Sequence, residues 1–379
     1  MEEKMGSELT QPILNFAIDI YKQLKSSGNN VFFSPFSIAA ALSMTLAGTR
    51  GNTANEISTV LHVQDSASIH EAFSHLQKSC LSCAPDIALH VANRIYCERA
   101  FQPLAAFSAL LEKCYSTTME SVDFRNDAEN VRQQINAWVQ SVTKDKIKDL
   151  LAKDAVVAST LMVLVNAVYF KGAWEDPFEK SVTEPIDFHE TYSITKKVEM
   201  MFRKGAYRMG YNSDMKASIL EIPYRGNNAS MVILLPDDIE GLTYLEERLT
   251  VQNLSSALDD MRMESEVKLY LPKFKVEYEM KLKQVLETLG IKDLFGDRAD
   301  LTGITTVKPV KFSGAVHKAF VDVNEEGTEA AAATAMIMRL GCCMQMAPPK
   351  VFKVDHPFMF LIRTREPNVV LFVGSLKQP

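Results

Sequence analysis

Metal binding, redox exchange and nucleophilic catalysis draw first on histidine and cysteine. Cys80-x-x-Cys83 is half of a zinc or redox motif, but no second pair and no ligating histidines at a matching spacing accompany it, so ordinary thiols are expected. His70-Glu71-Ala72-Phe73-Ser74-His75 has the outline of a zinc-protease helix. Its histidines are five apart, ~140° out of line at ~100° per residue, so they cannot share a metal, and both are read as surface residues. Seven His and six Cys permit a Cys–His pair to meet in the fold without specifying one. G-x-S-x-G, G-x-x-x-x-G-K-[ST] and G-x-G-x-x-G are all missing, which removes the backbone devices that expose a serine nucleophile or cradle phosphates. No metal, no cofactor and no enzymatic activity is expected.

Charge narrows the partners. The 41 Lys plus Arg against 47 Asp plus Glu give a net charge of −6, which offers no basic field to nucleic acid or an anionic membrane surface. With 47% hydrophobic and 23% charged residues the composition is that of an ordinary globular protein. No stretch approaches the ~18 apolar residues of a membrane span. The first residues, MEEKMGSELTQ, are acidic where a signal peptide is basic and then apolar, so a cytosolic or an already processed chain is expected. The sequons Asn228-Ala229-Ser230 and Asn253-Leu254-Ser255 matter only in a secreted protein. The six cysteines are too few and too irregular to frame a fold of this size, and they leave the compartment open.

Apart from Ala330 to Ala333 there is no repeat, low-complexity tract or Gly/Pro/Ser linker, so residues 1–379 read as one domain. Apolar residues at helical spacing predict helices over Pro12 to Leu24, Ser37 to Ala47, Ser68 to Cys80, Leu104 to Cys114, Glu129 to Val142 and Met280 to Leu289. Ser34-Pro35 supplies a cap and first turn for the second of these, and Gly290 ends the last. Leu161 to Phe170, Ser230 to Leu235 and Val369 to Val373 are nearly continuous apolar runs, as in strands covered on both faces. Val267 to Phe274 alternates like a half-exposed strand. Helices gather early and strands late, which favours α+β over a doubly wound sheet.

Residues 322–341, DVNEEGTEAAAATAMIMRLG, conflict with their surroundings. Glu, Ala and Met favour helix, yet Val316 to Val323 before them reads as a strand. The alternate residues Thr328, Ala330, Ala332, Thr334, Met336 and Met338 are uncharged and mostly small, while Glu329 and Arg339 fall on the other parity. The stretch can therefore enter a sheet without burying either charge, or form a plain Ala-rich surface helix.

Here the chain resembles the serpins, a family of protease inhibitors, over nearly its whole length. Glu325, Glu326, Gly327, Thr328, Glu329, Ala330, Ala331, Ala332, Ala333 and Thr334 resemble the hinge of that family's reactive loop, led in by Val323-Asn324. Asn166 to Trp174 (NAVYFKGAW) resembles the central-sheet strand ending under the point where the loop enters. Phe33 to Ile38 (FSPFSI) resembles the helix start beneath that sheet, and Val354 to Ile362 with Leu371 to Gly374 resemble the strands after the loop. The finer style is that of secreted arthropod serpins, tick salivary ones among them. Free thiols and the missing signal peptide resemble intracellular members instead.

The resemblance implies a single-domain α+β fold of three sheets and about nine helices, with an exposed loop at about residues 325–349. It implies a metastable, non-catalytic monomer whose partner is a serine protease: the protease cuts the loop, is held as an acyl-enzyme, and is disabled when the loop inserts into the central sheet. The rival is a non-inhibitory serpin acting as a carrier or chaperone, with a hydrolase behind it. By the family's spacing the residue before the cut lies fourteen after the hinge glycine, which gives Gly341-Cys342; Leu340-Gly341 and Arg339-Leu340 are the alternatives. Cys342 and Cys343 are oxidisable if exposed and small apolar contacts if not. Ser34, Ser37, Asn166, Trp174 and His317 match the residues that gate the sheet, with a His317–Asn166 hydrogen bond expected near Ser34 and Ser37. Heparin activation through the early basic helix is not supported, since Ser68 to Asp86 offers only Lys78.

Overall fold

The computed structural model describes residues 8–25, 28–64, 68–81, 87–328 and 348–379. Nine α-helices lie among them: α1 Thr10–Leu24, α2 Pro35–Gly48, α3 Gly51–Val60, α4 Ile69–Leu81, α5 Ala105–Tyr115, α6 Phe124–Val142, α7 Leu242–Arg248, α8 Val251–Asp259 and α9 Leu282–Leu289. The strands are β1 Val31–Phe33, β2 Ile87–Glu98, β3 Met119–Val122, β4 Met162–Ala173, β5 Glu184–His189, β6 Thr195–Asn212, β7 Ala217–Pro223 and β8 Ala229–Pro236. They continue as β9 Arg262–Pro272, β10 Phe274–Met280, β11 Gly314–Asn324, β12 Gly327–Thr328, β13 Lys350–Lys353, β14 Phe358–Thr364 and β15 Val370–Leu376. The architecture is α+β. Hydrogen bonding links the strands into a nine-stranded and a six-stranded sheet where three were expected. The 18-residue β6 accounts for this, because it pairs with β5, β7 and β9 and shifts register between Gly205 and Tyr207, so strands of two expected sheets share one long member.

Two compact units emerge from the packing: residues 1–170, 276–320 and 361–374 in the first, and residues 171–275, 321–360 and 375–379 in the second. In the first, β4 pairs in parallel with β11, Val163 opposite Gly314 through Tyr169 opposite Phe320. The nearly unbroken apolar run of β4 is covered on both faces, as such a run requires. Val163, Val165, Ala167 and Tyr169 pack with Val131, Ile135 and Val139 of α6. On the other face Phe170 meets Phe372, which stacks on Phe32 at 5.1 Å. Helix α2 is buried nearly all round; Ser34 caps it, its side chain accepting from the Ser37 N–H, and Pro35 follows. Asn136 of α6 holds the following segment by exchanging hydrogen bonds with the Leu151 backbone N–H and carbonyl.

In the second unit β6 pairs antiparallel with β5, β7 and β9, β7 with β8, and β13 in parallel with β9. Strands β2, β5, β6, β7 and β10 carry no apolar run: β6 (TKKVEMMFRKGAYRMGYN) is rich in charge along exposed positions, so its period is hidden. Helices α3, α7 and α8 are short and weakly apolar, and went unread for that reason. Strands β2 and β3 also lie among the early helices, so the separation of helices from strands along the chain is less clean than expected.

His70 is a correction. It is buried, and its Nδ1 lies 2.7 Å from the Tyr115 hydroxyl, because α4 packs this face against α5. Burial lowers its proton affinity.

Candidate functional site

Two constellations hold the residues that the sequence singled out. The first lies where the even-numbered face of β4 meets the start of α2. Leu164, Asn166, Val168 and Phe170 are fully buried there, and the amide of Asn166 interrupts an otherwise apolar face. A buried amide must find partners. Its Nδ2 donates to the Ser37 hydroxyl at 2.7 Å, to the Ser37 carbonyl at 3.1 Å and to Asn93 Oδ1, while its Oδ1 meets His317 Nδ1.

His317 lies directly opposite Asn166 in the β4–β11 register. The backbone N–H of Ser34 reaches its Nε2 at 3.3 Å. A backbone N–H can only donate, so Nε2 is the unprotonated nitrogen and Nδ1–H donates to Asn166. The Ser34 hydroxyl donates to the Leu371 carbonyl at 2.7 Å. Ser34, Ser37, Asn166 and His317 are all fully buried. Asn93 completes the network; nothing in its local sequence marks it, and only the pairing of β2 beside β4 brings it there.

Burial lowers the His317 pKa from 6.5 to about 3, with no charged neighbour contributing. The imidazole is therefore neutral around pH 7, and its task is to clamp β11, β4 and α2 through hydrogen bonds.

The second constellation gathers Glu325 to Thr328, the start of the expected hinge. Trp174 joins this group instead of the first. It stacks on Tyr224 at 4.7 Å, meets Phe178 edge-on, and donates Nε1–H to the Asn324 carbonyl at 3.0 Å. The Trp174 and Phe178 N–H groups donate to the carbonyls of Glu326 and Glu325. Glu325 is almost fully buried, yet its carboxylate accepts from Thr183 at 2.9 Å and meets Lys273 at 3.1 Å. Burial pushes this carboxyl up, but the hydrogen bonds from its own backbone N–H, Lys273 and Thr183 together hold it below the usual range. Glu326 pairs with the exposed Lys180 at 2.6 Å, a contact screened by solvent.

Gly327 and Thr328 form β12, and both neighbours are already in place: Gly327 pairs with Asn324 and Ala173, Thr328 with Val323 and Gly172, all antiparallel. Gly327 and Thr328 of the expected hinge thus already lie between β11 and β4. Thr328 is fully buried, its hydroxyl 2.8 Å from that of Tyr224. Gly327 has φ +146°, and a Cβ there would collide with the Gly172 carbonyl and lie 2.7 Å from Ala173 Cα. Backbone atoms cannot step aside, so only glycine fits. Glu329, Ala330, Ala331, Ala332, Ala333, Thr334, Arg339, Leu340, Gly341, Cys342 and Cys343 lie outside the described residues, as do Cys83 and the side chain of Cys80.

Gly327 and Thr328 begin a strand between two partners, and the alternate residues that follow Thr328 in the sequence are uncharged and mostly small, as a strand entering a sheet requires. The comparisons agree. The model of the serpin family, described as serine protease inhibitors, matches residues 11–379. Iris of Ixodes ricinus is 53% identical over 99% of this chain and 100% of its own length. Leukocyte elastase inhibitor of Sus scrofa is 42% identical over 98% and 100%. The solved structure of maspin superimposes with a TM-score of 0.91 at 30% identity, covering 99% of this chain and 100% of its own. The chain belongs to the serpin family.

Two outcomes test these constellations. Gly327→Ala should lower the melting temperature by several degrees, since β12 must leave the sheet or the backbone of β4 must move; an unchanged melt would show that residue 327 is not enclosed by backbone. For His317, an opened or unfolded chain takes up a proton below pH ~6.5 that the closed chain refuses until pH about 3. Stability should therefore fall as pH is lowered across that window, by at most about 1.4 kcal/mol per pH unit from this group. Melting followed from pH 7.5 to 5 should show a shallower decline in His317→Gln than in the parent, and equal slopes would remove His317 from the clamp.

Proposed function

We propose that this protein disables a serine protease as a single-use substrate. The observation that carries the reading is the pairing of Gly327–Thr328 with both β11 and β4, because the residues after Thr328 need only continue the same antiparallel strand. The protease attacks the loop of about residues 325–349 and is held as an acyl-enzyme on the new carboxyl end. Insertion then separates β4 from β11 below the hinge and replaces one parallel ladder with two antiparallel ones. About a dozen added hydrogen bonds at ~1 kcal/mol each supply on the order of 10 kcal/mol towards dragging and distorting the protease. Small uncharged side chains on the inward parity keep that insertion free of buried charge.

Family spacing from Gly327 selects Gly341-Cys342 as the cut bond, with Leu340-Gly341 next. Both suit a protease with a small apolar specificity pocket, the elastase type, and a relative named leukocyte elastase inhibitor supports that choice. Arg339-Leu340 is the bond a trypsin-like enzyme selects by charge, but the shorter travel it allows favours turnover over trapping. The protein acts as a monomer of one serpin domain.

Incubation with an elastase should give a complex that survives SDS, with a released C-terminal peptide beginning at Cys342 or Gly341 by mass spectrometry. A tight trypsin complex whose peptide begins at Leu340 would instead make Arg339 the specificity residue, and cleavage by every protease without any stable complex would sink the inhibitory reading.

The proposal places the protein outside the cell. Asn228 lies exposed in the turn before β8, whereas Asn253 sits in the first turn of α8 with its Nδ2 donating to the Arg248 carbonyl at 2.8 Å. Asn228 is the better glycan acceptor. Protein secreted from insect cells should shift in mobility on deglycosylation, and Asn228→Gln should lose that shift; secretion without any glycan on Asn228 would refute the assignment.

A further inference from the structure

Where α2 ends, α3 starts and α4 begins, the first unit encloses a cavity of about 400 Å³ that shares no residue with either constellation. No Asp or Glu stands among the described residues of its lining, although the whole chain carries a net charge of −6. Three groups there are hydrogen-bond donors with nothing to receive them.

Arg50 is the first. Its Nη1 donates to the Ala47 and Thr49 carbonyls at 3.0 and 2.6 Å, which places a cation at the negative end of α2. Gly303 lets the guanidinium lie against its backbone, since a Cβ there would come within 2.7 Å of three guanidinium atoms. Nη2 and Nε remain unbonded among the described residues. Asp300 attracts Arg50 without forming an ion pair, its Oδ1 being taken by the N–H and hydroxyl of Thr302.

The start of α3 is the second. This helix is ten residues long and has no side-chain cap, and the N–H groups of Gly51, Asn52 and Thr53 meet no acceptor among the described residues. Gly51 borders the cavity.

His70, the third, is independent of both. It is only 9% exposed and lines the cavity; Nδ1 is held by Tyr115, while Nε2 has no partner among the described residues. Burial alone lowers its proton affinity, so no carboxylate is close enough to hold an imidazolium there. When the Tyr115 hydroxyl donates to Nδ1, Nε2–H is left as a buried donor awaiting an acceptor.

A helix start beside an arginine suits a tetrahedral dianion, whose oxygens accept from backbone N–H groups and guanidinium together. Leu46, Ala47 and Ala54 give the rest of the space an apolar wall. We propose that this corner binds a small phosphomonoester, its phosphate on Arg50, His70 Nε2 and the start of α3, its organic part against Leu46 and Ala54.

Calorimetric titration of the full chain with phenyl phosphate and with inorganic phosphate tests the site. Phenyl phosphate should bind one-to-one with a submillimolar Kd. Inorganic phosphate, which leaves the apolar wall uncovered, should bind at least threefold more weakly; equal or tighter binding would overturn the ester in favour of the free anion. Arg50→Gln should weaken phenyl phosphate at least tenfold, and Ala54→Glu, which brings a carboxylate to the lining, should abolish binding. A second measurement needs no folded variant: of the seven histidines, His70 should show the largest change in its imidazole nitrogen signals when phenyl phosphate saturates the parent. No heat in the parent at 10 mM probe, binding that leaves the His70 signals in place, or parent-like binding by Ala54→Glu overturns the assignment.

Discussion

One buried amide on an apolar strand governs how this sheet is held. Asn166 lies between Leu164 and Val168 on a fully buried face of β4, and an unpaired amide there would cost several kcal/mol. The fold meets that cost from three directions, with His317 across the strand pair, Ser37 from α2 and Asn93 from β2. Each partner is fully satisfied only in this arrangement, so the network defines a specific closed state instead of merely adding cohesion. A leucine at position 166 would leave His317 and Asn93 without this buried partner.

Neutrality of His317 is part of the same design. A protonated imidazole would present a donor at Nε2, where the Ser34 N–H already donates, and would carry charge into a site with no anion to receive it. The clamp therefore depends on hydrogen bonds that burial strengthens, and burial is also what keeps the ring neutral.

Farther along the same two strands the demands reverse. Asn166 and Ala173 both belong to β4, and His317 and Asn324 both belong to β11. At Asn166 the strands pair with one another; at Ala173 and Asn324 they accept β12 between them. Gly327 allows this by having no Cβ, and Glu325 is anchored just before it by Lys273 and Thr183. The chain thus leaves a fixed point at Glu325, and Gly327 and Thr328 set its direction. A loop attached in this way can lengthen the inserted strand without a separate nucleation event.

Much of this was legible in the linear chain. The run from Leu161 to Phe170 announced a strand buried on both faces, Ser34-Pro35 announced a helix start, and the uncharged parity after Gly327 announced a segment able to enter a sheet. Each is a local property: hydropathy, capping and alternation act over a few residues. His70 was misread because a histidine beside a glutamate looks solvated until α5 is placed against it. The long strand β6 was missed because its exposed charges mask its period, and the resulting fusion of sheets followed from its length alone. Asn93 had no signal of any kind, since its importance depends on which strand becomes the neighbour of β4. The sequence by itself determined the elements, the family and the chemistry available at each position. Only the tertiary structure decided which polar groups share a buried site, because that is set by the register of strands far apart in the chain and by the desolvation they impose together.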